Sequence, residues 1–556
     1  MQQSESSGFR FPWAIKPVDE DLLRRLSREL RVSEVLARLL VQRGVNDETS
    51  ARVWLNPSVR LLYPGYLLPD FEPAKERIFK AIENKETVLI WGHDDLDGIT
   101  AVLTLYKILS GMQAKVKYYI PTKGKDKHGL DSRILKKYCE EGVKLVVTVD
   151  CGITNYKEIK EIKEYGVDVI VTDHHEVIDP LPEAIAIIDP KRPDACYPYP
   201  YLTGVGVALK LAMELTRVRL KISYEEFFSV QPDMFVLGTL GTIADRSPLT
   251  GENRIMVTLG LNQMEKTQLP AVAAVLRTLN FKPKEFTVAD FLSELLPLFA
   301  SASGIEGVER FLDPDQNRAE MWVRELAQKS QEWRDEAERT FDLAQKNLRF
   351  GDGIIFVQHK ELSLRALGAS ASRLKDRYQV PVIVLGWRGD AWVGECRGMN
   401  GIDLMDLLRA LSCYLVDYGG HKKAAGFTIK DEQVEAFIRS AEQFAHENFA
   451  PKITKENQIV ADGIVPFNDF DPAVIKLAPF GEGNPQPVFI SEPTELVRNR
   501  DYLSPASRPE LLLSSGKKDF PIEPGIPVIT LYTIDDLGRL TLLDYHHPSP
   551  SHHSES

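Results

Sequence analysis

The chain is poor in three features that would each point to a particular class of protein. It has five cysteines in 556 residues, and none are spaced as metal ligands, so neither a disulfide framework nor a thiolate zinc site is expected. It has no apolar run as long as a membrane span and no signal-peptide pattern, which predicts a soluble, cytoplasmic protein. Its net charge of −12 argues against the broad positive surface that indiscriminate duplex binding requires.

What the chain does have is a set of acidic and imidazole side chains that directly follow short apolar runs. The runs at 87–92, 144–149 and 167–172 are rich in β-branched residues, as expected of buried parallel strands, and helix-like stretches separate them. This alternation predicts a doubly wound, mainly parallel α/β sheet. The side chains that follow the runs are His93, Asp94, Asp95, Asp97, Asp150, Asp173, His174 and His175, with Asp245 and Gly419-Gly420-His421 further along.

These separated side chains are expected to meet at one edge of the sheet, because the carboxyl ends of adjacent parallel strands share a crevice. So many carboxylates would repel one another, and several would take up protons, unless cations lay among them. Oxygen ligands with one or two imidazoles favour Mn²⁺ or Mg²⁺. Two such ions about 4 Å apart can activate a water and stabilise the leaving oxygen in phosphoester hydrolysis. The pattern therefore predicts an enzyme of phosphate chemistry with two divalent metal ions.

Further motifs, in a fixed order, resemble one family of phosphoesterases. Asp173-His174-His175 is the signature of the DHH phosphoesterases, and its surroundings resemble the RecJ-type single-strand-specific 5′→3′ exonucleases. The resemblance covers most of residues 20 to 545. The segments that carry it, besides the strand ends, are 36–44, 189–191, 202–208, 242–249, 419–426 and 479–489.

The resemblance implies a role for each member of the acidic cluster. It implies that two metal ions are ligated by Asp95, Asp97, Asp150, His174 and Asp245. His175 would lie against the scissile phosphate, where it could donate a hydrogen bond or a proton, and Asp95 and Asp150 would act with it in catalysis. The family's first motif begins with an aspartate where this chain has His93. Because an imidazole also binds manganese, we keep His93 as a candidate metal ligand.

The resemblance also implies a 5′-phosphate pocket in a second domain. Arg373, Arg397 and His421 would line it, and Gly419 and Gly420 would expose backbone amides to the substrate. Guanidinium groups and glycine-exposed amides suit phosphate oxygens.

Three segments depart from the family pattern at positions expected to contact nucleic acid. Residues 297–304 lack the family's arginines and asparagine, and 362–365 replace a Trp-His-x-Gly sequence. Residues 394–398 read Gly-Glu-Cys-Arg-Gly, so Arg397 is kept while two serines are lost. These changes predict that the chain binds its substrate differently and represents a divergent RecJ subtype. A basic loop at Lys123, Lys125, Lys127 and His128 is expected to be a solvated surface loop, with strand contact as the alternative.

A chain of this length with 43% hydrophobic residues can bury several cores, so three or four domains are expected. Changes in sequence pattern along the chain, together with the resemblance, suggest the following domain limits. They are an N-terminal helical segment at 1–75, a DHH catalytic domain at 76–265, a helical linker with a long connecting helix at 266–349, a DHH-associated α/β domain at 350–450, an oligonucleotide-binding (OB) type β-barrel at 455–546 and a disordered tail at 547–556.

The function expected from these features is two-metal hydrolysis of single-stranded DNA from its 5′ end, in DNA repair and recombination. The resemblance implies a monomer, with single-strand-binding protein and a RecQ-type helicase as partners. Two alternatives stay open. One is a phosphodiesterase of the same family acting on short oligonucleotides, cyclic dinucleotides or pyrophosphate, although such relatives are generally shorter. The other is a non-catalytic RecJ-like scaffold, although such proteins lose metal ligands that this chain keeps.

Overall fold

The computed structural model describes residues 13–122, 129–177, 180–282, 285, 287–299, 304–399, 401–456, 459–515 and 520–547. The predicted basic loop from Lys123 to His128 and all but the first residue of the predicted tail lie outside these ranges. The chain divides into two compact units. We call Gln328–Val460 the small unit, and Ile15–Ala327 together with Ala461–Ser556 the large unit.

The N-terminal part is helical, as the Leu-rich pattern predicts. Asp19, Ser33 and Asp47 each begin a helix by accepting hydrogen bonds from backbone N–H groups of its first turn. The buried faces of the first three helices share one core with the C-terminal sheet of the large unit. The elements here are β1 (Ala14–Ile15), α1 (Glu20–Leu30), α2 (Glu34–Gln42), α3 (Glu48–Leu55) and α4 (Phe71–Glu83).

The centre of the large unit is a five-stranded parallel sheet, as predicted from the β-branched runs. The strands at 87–91, 143–149 and 168–172 are largely buried on both faces, which explains why they read as continuous apolar runs. The elements are β2 (Thr87–Trp91), α5 (Leu96–Gly111), β3 (Lys115–Tyr119), α6 (Ser132–Glu140), β4 (Val143–Val149), α7 (Tyr156–Lys163), β5 (Asp168–Thr172) and β6 (Ala186–Ile188). The strand order is β3-β2-β4-β5-β6, with every neighbouring pair parallel.

A helical region follows this sheet and covers it. Its helices are α8 (Gly204–Leu220), α9 (Tyr224–Val230), α10 (Asp233–Ala244), α11 (Gly251–Met264), α12 (Pro270–Thr278), α13 (Val288–Asp290), a π-helical turn (Phe291–Leu295), α14 (Leu296–Phe299) and α15 (Gly304–Leu312). Within the described part of the chain, no single helix is long and apolar enough to cross a membrane. Among the described helices, only the bent pair Val288–Phe299 and Gly304–Leu312 has sufficient length and apolar composition when the two helices are taken together.

The small unit is built on a six-stranded mixed sheet. The predicted connecting helix is α16 (Gln316–Lys346), whose C-terminal part belongs to this unit. The elements that follow are β7 (Leu348–Gly351), β8 (Ile354–His359), α17 (Leu367–Tyr378), β9 (Val382–Trp387), β10 (Trp392–Arg397), α18 (Leu404–Ala410), β11 (Leu415–His421), β12 (Ala424–Ile429), α19 (Val434–Asn448) and α20 (Ala450–Glu456). The strand order is β11-β12-β10-β9-β8-β7, and α17 packs against β9 and β10.

The C-terminal part of the large unit is a sheet of short strands. They are β14 (Gly463–Ile464), β15 (Val488–Ile490), β16 (Leu496–Asn499), β17 (Tyr502–Pro505), β18 (Leu513–Ser514), β19 (Ile529–Ile534) and β20 (Leu540–His546), after the two-residue β13 (Val460–Ala461). The strand order is β14-β15-β19-β20-β18-β17-β16. The sheet is consistent with an OB-like part, but within the described residues it does not close into a barrel. The predicted fold class is otherwise confirmed.

A buried arginine connects three distant segments of the large unit through its side-chain contacts. Arg254, in α11, is fully buried, and burial lowers the pKa of its guanidinium to about 9. The guanidinium lies 4.9 Å from the centroid of the Trp54 ring. It donates hydrogen bonds to the backbone carbonyls of Trp54, Lys476, Leu477 and Ala478.

Replacing Arg254 with methionine is expected to destabilise the large unit. The methionine side chain cannot donate to the carbonyl groups of Trp54, Lys476 and Ala478, while the Leu477 carbonyl keeps its second donor, the Asn484 side chain, and removing a buried charged donor costs about 3 kcal/mol. A urea titration followed by circular dichroism should show a lower midpoint. Arg52→Met is the control, because Arg52 pairs with Glu48 on an exposed helix face, where a change of at most about 0.5 kcal/mol is expected. Equal midpoints for the two variants would contradict the anchoring role.

Candidate active site

The first part of the site follows strand β2, which ends at Trp91. Asp95 begins helix α5 by accepting a hydrogen bond from the backbone N–H of Gly98 at 2.9 Å. Position 98 requires glycine, because a Cβ there would overlap the backbone of His93. This tight turn brings His93, Asp95 and Asp97 to the carboxyl edge of the sheet.

Asp97 is held by backbone amides of another helix. It is buried in the first turn of α5, where its Oδ2 accepts a hydrogen bond from the N–H of Gly204 at 2.7 Å and its Oδ1 one from the N–H of Val205 at 2.8 Å. These two amides open α8, so the positive end of that helix lies against the carboxylate. Thr203 caps the same helix by accepting a hydrogen bond from Gly206. The start of α8 therefore fixes an acidic side chain of the site.

Asp150 follows β4 in a left-handed backbone conformation. Its φ is 59°, and only 2% of the residue is exposed. Aspartate and asparagine adopt this conformation at less cost than other residues with a side chain. Helix α8 approaches so closely that a Cβ at Gly204 would overlap the side chain of Asp150. The carboxylate of Asp150 is thereby fixed between α8 and the ends of the neighbouring strands.

Asp173, which follows β5, orients the two histidines after it. Its Oδ1 accepts hydrogen bonds from the backbone N–H of His174 at 2.8 Å and from ring Nδ1 of His175 at 2.7 Å, while its Oδ2 accepts from the N–H of Ile153 at 2.9 Å. Burial opposes ionisation, but the bond with His175 keeps the pKa of Asp173 below its ordinary value, and the same bond raises the pKa of His175. Because Nδ1 is engaged, Nε2 is the nitrogen with which His175 can act.

The predicted metal ligands, together with the predicted catalytic residue His175, form three overlapping groups. His174 Nε2 lies 3.0 Å from Oδ1 of Asp150, and His93 Nδ1 lies 3.1 Å from Oδ2 of Asp95. In each group the potential ligand atoms lie within 4.8 Å of one another, and the groups are His93, Asp95 and Asp150; Asp97, His174 and Asp245; and Asp150, His174 and His175. Asp150 and His174 each belong to two groups. The arrangement therefore offers two cation positions connected through Asp150 and His174.

In the protein alone, the negative charges of the cluster are not balanced by positive charges of the described residues. Burial, reinforced by the charge of Asp150, raises the pKa of Asp97 well above its ordinary value, and burial with the charge of Asp95 does the same for Asp150. Burial also acts against ionisation of Asp95, but its hydrogen bond with His93 lowers the pKa of Asp95 to about 2. Positive charge nearby would favour the ionised forms of Asp97 and Asp150.

The donor set fits divalent cations. The three groups contain carboxylate oxygens and imidazole nitrogens and no thiolate, which is the choice of ligands that suits Mn²⁺ or Mg²⁺. Cations placed among them would also remove the repulsion that raises the pKa values of Asp97 and Asp150. The residues present therefore match the two metal ions predicted from the sequence.

The predicted substrate-binding arginines lie in the small unit, and each is paired with a carboxylate. Arg373, in α17, forms a salt bridge with Glu338, and its guanidinium lies 3.7 Å from the centroid of the Phe341 ring. Arg397, at the end of β10, donates a hydrogen bond from Nη1 to Oε2 of Glu395 at 2.8 Å. Both contacts involve residues outside the predicted site.

The other predicted substrate-binding residues, Gly419, Gly420 and His421, lie in β11. Because β12 lies between β10 and β11, Arg397, Ala424 and His421 form one row across the three strands. The structure thus places Arg397 and His421 on the same row, whereas Arg373 contacts α16. Of the segments that depart from the family pattern, 362–365 also engages α16 through Ser363 and Arg365, and part of 297–304 lies outside the described residues.

Three contributors to the site are not predicted from the sequence. The backbone N–H groups of Gly204 and Val205 hold Asp97, and Asp173 orients His175, a role that the sequence does not assign to it. The sequence feature that could have pointed to these amides is the glycine-rich start of α8 at 203–206. The direction of an amide has no signature in the sequence.

The fold and the site define a class of protein. Residues 87–240 match the family model described as DHH family, N-terminal domain, and residues 351–447 match the one described as DHHA1 domain. The five-stranded parallel sheet falls in the first match and the six-stranded sheet mostly in the second. The chain thus contains a DHH domain followed by a DHHA1 domain.

Individual relatives narrow the class. The chain is 30% identical over 499 residues to the single-stranded-DNA-specific exonuclease RecJ of Bacillus subtilis, covering 86% of this chain and 61% of that protein. It is 30% identical over 485 residues to the exonuclease of the same name from Salmonella typhimurium, covering 82% of each. The chain belongs to the RecJ family.

A solved structure gives the same fold. The crystal structure of RecJ from Thermus thermophilus in complex with Mn²⁺ matches with a TM-score of 0.76 and 23% identity, covering 97% of this chain and 80% of that one. A second structure of that protein is a complex with Mg²⁺, with a TM-score of 0.71. Mn²⁺ and Mg²⁺ are the two ions that the donor set of this chain predicts.

Replacing Asp150 with asparagine is expected to reduce the number of Mn²⁺ ions bound from two to one or none, because Asp150 contributes to two ligand groups. Asparagine is the appropriate change, since it keeps the left-handed backbone that alanine would strain by about 1 kcal/mol. Isothermal titration calorimetry measures the stoichiometry. Glu164→Gln, an equal change of charge at the exposed end of α7, is the control. Unchanged stoichiometry in Asp150→Asn would rule out the shared role.

Proposed function

We propose that the chain is a metal-dependent exonuclease that degrades single-stranded DNA in the 5′→3′ direction by hydrolysing phosphodiester bonds. The observation that carries the proposal is the position of Asp150 in two ligand groups at the carboxyl edge of the sheet. A carboxylate common to two cation positions would hold two ions close together, as two-metal phosphoester hydrolysis requires. The substrate is supported by the likeness to RecJ proteins described as single-stranded-DNA-specific exonucleases.

Asp95, Asp97, Asp150, His174 and Asp245, with His93 as a further candidate, would hold two divalent ions, which would supply an activated water molecule and stabilisation of the leaving oxygen. The side chains and amides of the chain prepare the place for that chemistry. The amides of Gly204 and Val205 hold both oxygens of Asp97, and the left-handed backbone of Asp150 aims its carboxylate between the strand ends. His175, held at Nδ1 by Asp173, uses Nε2 to donate a hydrogen bond or a proton to charge that develops on the scissile phosphate.

The small unit binds the 5′ end of the strand in this proposal. The row formed by Arg397, Ala424 and His421, with Gly419 and Gly420 beside it, offers a guanidinium and glycine-exposed backbone to phosphate and sugar oxygens. We give Arg373 a secondary place, because its guanidinium is already paired with Glu338. The C-terminal sheet holds the strand further along, as sheets of this kind do for single strands.

The likeness to RecJ extends the proposal to the cellular role. We infer a cytoplasmic monomer that acts in DNA repair and recombination, together with single-strand-binding protein and a RecQ-type helicase. The domain limits given from the sequence belong to the same proposal.

Both alternatives explain less of the molecule. A scaffold has no use for seven acidic and imidazole side chains gathered into cation-sized groups. An enzyme for dinucleotides has no evident use for the N-terminal helices and the C-terminal sheet, which lie outside the two DHH matches. Those extra parts favour a long substrate.

Labelled strands test the proposal directly. With Mn²⁺ or Mg²⁺, a 5′-labelled single strand should release its label at once as a mononucleotide, while the same strand labelled at the 3′ end should shorten progressively. The same strand in a duplex should resist, and RNA of the same sequence tests the sugar preference. Faster turnover of a dinucleotide than of the long strand would favour the small-substrate alternative. Failure to hydrolyse any of them with either ion would favour the scaffold.

Replacing His175 with asparagine is expected to lower kcat by about 10²- to 10⁴-fold, the usual contribution of a general acid, while Mn²⁺ binding is largely kept. Asp173→Asn should lower kcat by about 10- to 100-fold, because it weakens the acceptor that orients the ring. Steady-state hydrolysis and calorimetry measure the two properties separately. His446→Asn, at an exposed histidine of α19, is the control. An unchanged kcat in His175→Asn would contradict its role.

A further inference from the structure

A carboxylate lies inside the proposed 5′-end pocket of the small unit. Glu395 and Arg397 are two residues apart in β10, so their side chains project from the same face of the sheet. Nη1 of Arg397 donates a hydrogen bond to Oε2 of Glu395 at 2.8 Å. The side chain of Glu395 is 33% exposed and that of Arg397 is 25% exposed. The pair thus lines an accessible surface and is not part of the core.

The groups around this pair are of the kind that bind anions. A Cβ at Gly368, the second residue of α17, would overlap Nη2 of Arg397 and lie 3.3 Å from Oε2 of Glu395. The residue before the helix is Ala366, whose side chain has no acceptor with which to cap the first turn. The carboxylate of Glu395 therefore lies at the positive end of α17, where negative charge is favoured.

Glycines leave open space on the other side of the carboxylate. Glu395 is opposite Gly426 of β12, which is opposite Gly419 of β11. A Cβ at Gly426 would lie 3.3 Å from Oε1 of Glu395, and a Cβ at Gly419 would meet no described atom within 4 Å. Two adjacent rows on one sheet face thus contain Glu395 with two glycines and Arg397 with His421. A strand end that reaches Arg397 also meets Glu395.

A purely structural salt bridge does not account for this arrangement. Partly exposed ion pairs contribute little to stability. Arg397 also donates a hydrogen bond from Nη1 to the backbone carbonyl of Cys396 at 2.7 Å, so its guanidinium has a second fixed contact without Glu395. The resemblance drawn from the sequence implies an uncharged serine at this position. The charge at this position therefore calls for a functional explanation.

We propose that Glu395 determines which 5′ end the pocket accepts, favouring a strand that ends in a 5′-hydroxyl over one that ends in a 5′-phosphate. The carboxylate occupies the place beside Arg397 and the start of α17 that a terminal phosphate would take, and two anions in one site repel each other. A 5′-hydroxyl is uncharged and donates a hydrogen bond to a carboxylate. The inference rests on the proposed function, because it concerns the end of the same substrate.

The test compares kcat/KM, with Mn²⁺, for one 3′-labelled DNA sequence that carries either a 5′-hydroxyl or a 5′-phosphate. The unaltered chain should favour the hydroxyl. Glu395→Gln, which keeps the shape and removes the charge, should shift the ratio toward the phosphate by about tenfold or more. Glu395→Ser, with the residue of the family pattern, should shift it in the same direction. Glu447→Gln, an equal change of charge on exposed α19, should leave the ratio unchanged.

The outcomes separate this inference from the proposed function. The inference is overturned if the unaltered chain favours the 5′-phosphate by about tenfold or more, a result that needs no variant to fold. It is also overturned if both Glu395 variants, folded by circular dichroism, keep the original ratio. In either case hydrolysis from the 5′ end would leave the proposed function standing. Absence of 5′-directed hydrolysis with both ends would instead defeat the proposed function.

Discussion

The burial of two carboxylates, Asp97 and Asp150, at one edge of a parallel sheet is the constraint on which this site depends. Removal from water, reinforced by the charge of Asp150 at Asp97 and by the charge of Asp95 at Asp150, raises both pKa values well above the ordinary range. The fold fixes their positions through two amides of α8 and a left-handed backbone at Asp150, but these contacts leave the repulsion in place. The site is therefore organised for cations that the polypeptide itself does not supply.

Helix α8 connects this constraint to the fold. Gly204 contributes twice, because its N–H binds Asp97 and its missing side chain makes room for Asp150. A helix N-terminus that could receive a ligand anion is here used for a carboxylate of the protein itself. In the small unit another carboxylate, Glu395, lies beside the start of a helix, because Gly368 near the start of α17 has no side chain. In the large unit the carboxylate helps to build a cation site, whereas we propose that the carboxylate of the small unit selects the substrate end.

The sheet and the membership of the cluster can be predicted from the sequence because both depend on local patterns. Strands β2, β4 and β5 are β-branched apolar runs, and the acidic residues come directly after them. The contacts of Asp97 cannot be predicted in this way, since its partner Gly204 is 107 residues away and the bond depends on how α8 packs against α5. The pairing of Glu395 with Arg397 can be predicted from the sequence only in part. The loss of a serine is visible in the sequence, but its consequence appears only when α17 is placed beside β10.

The C-terminal sheet region also contacts the loop that follows Asp245, one of the predicted metal ligands. The segment 479–489, which resembles the entry to an OB domain, is held by Asn484, whose side chain donates to the carbonyls of Leu477 and Pro479. The backbone of Glu482 in turn accepts a hydrogen bond from the N–H of Leu249 at 2.8 Å. Leu249 lies in the loop that begins at Asp245, one of the predicted metal ligands. The loop after Asp245 is therefore joined to the C-terminal region at Leu249, while Asp245 itself is held by α10 through the hydrogen bond of its N–H to the carbonyl of Gly241.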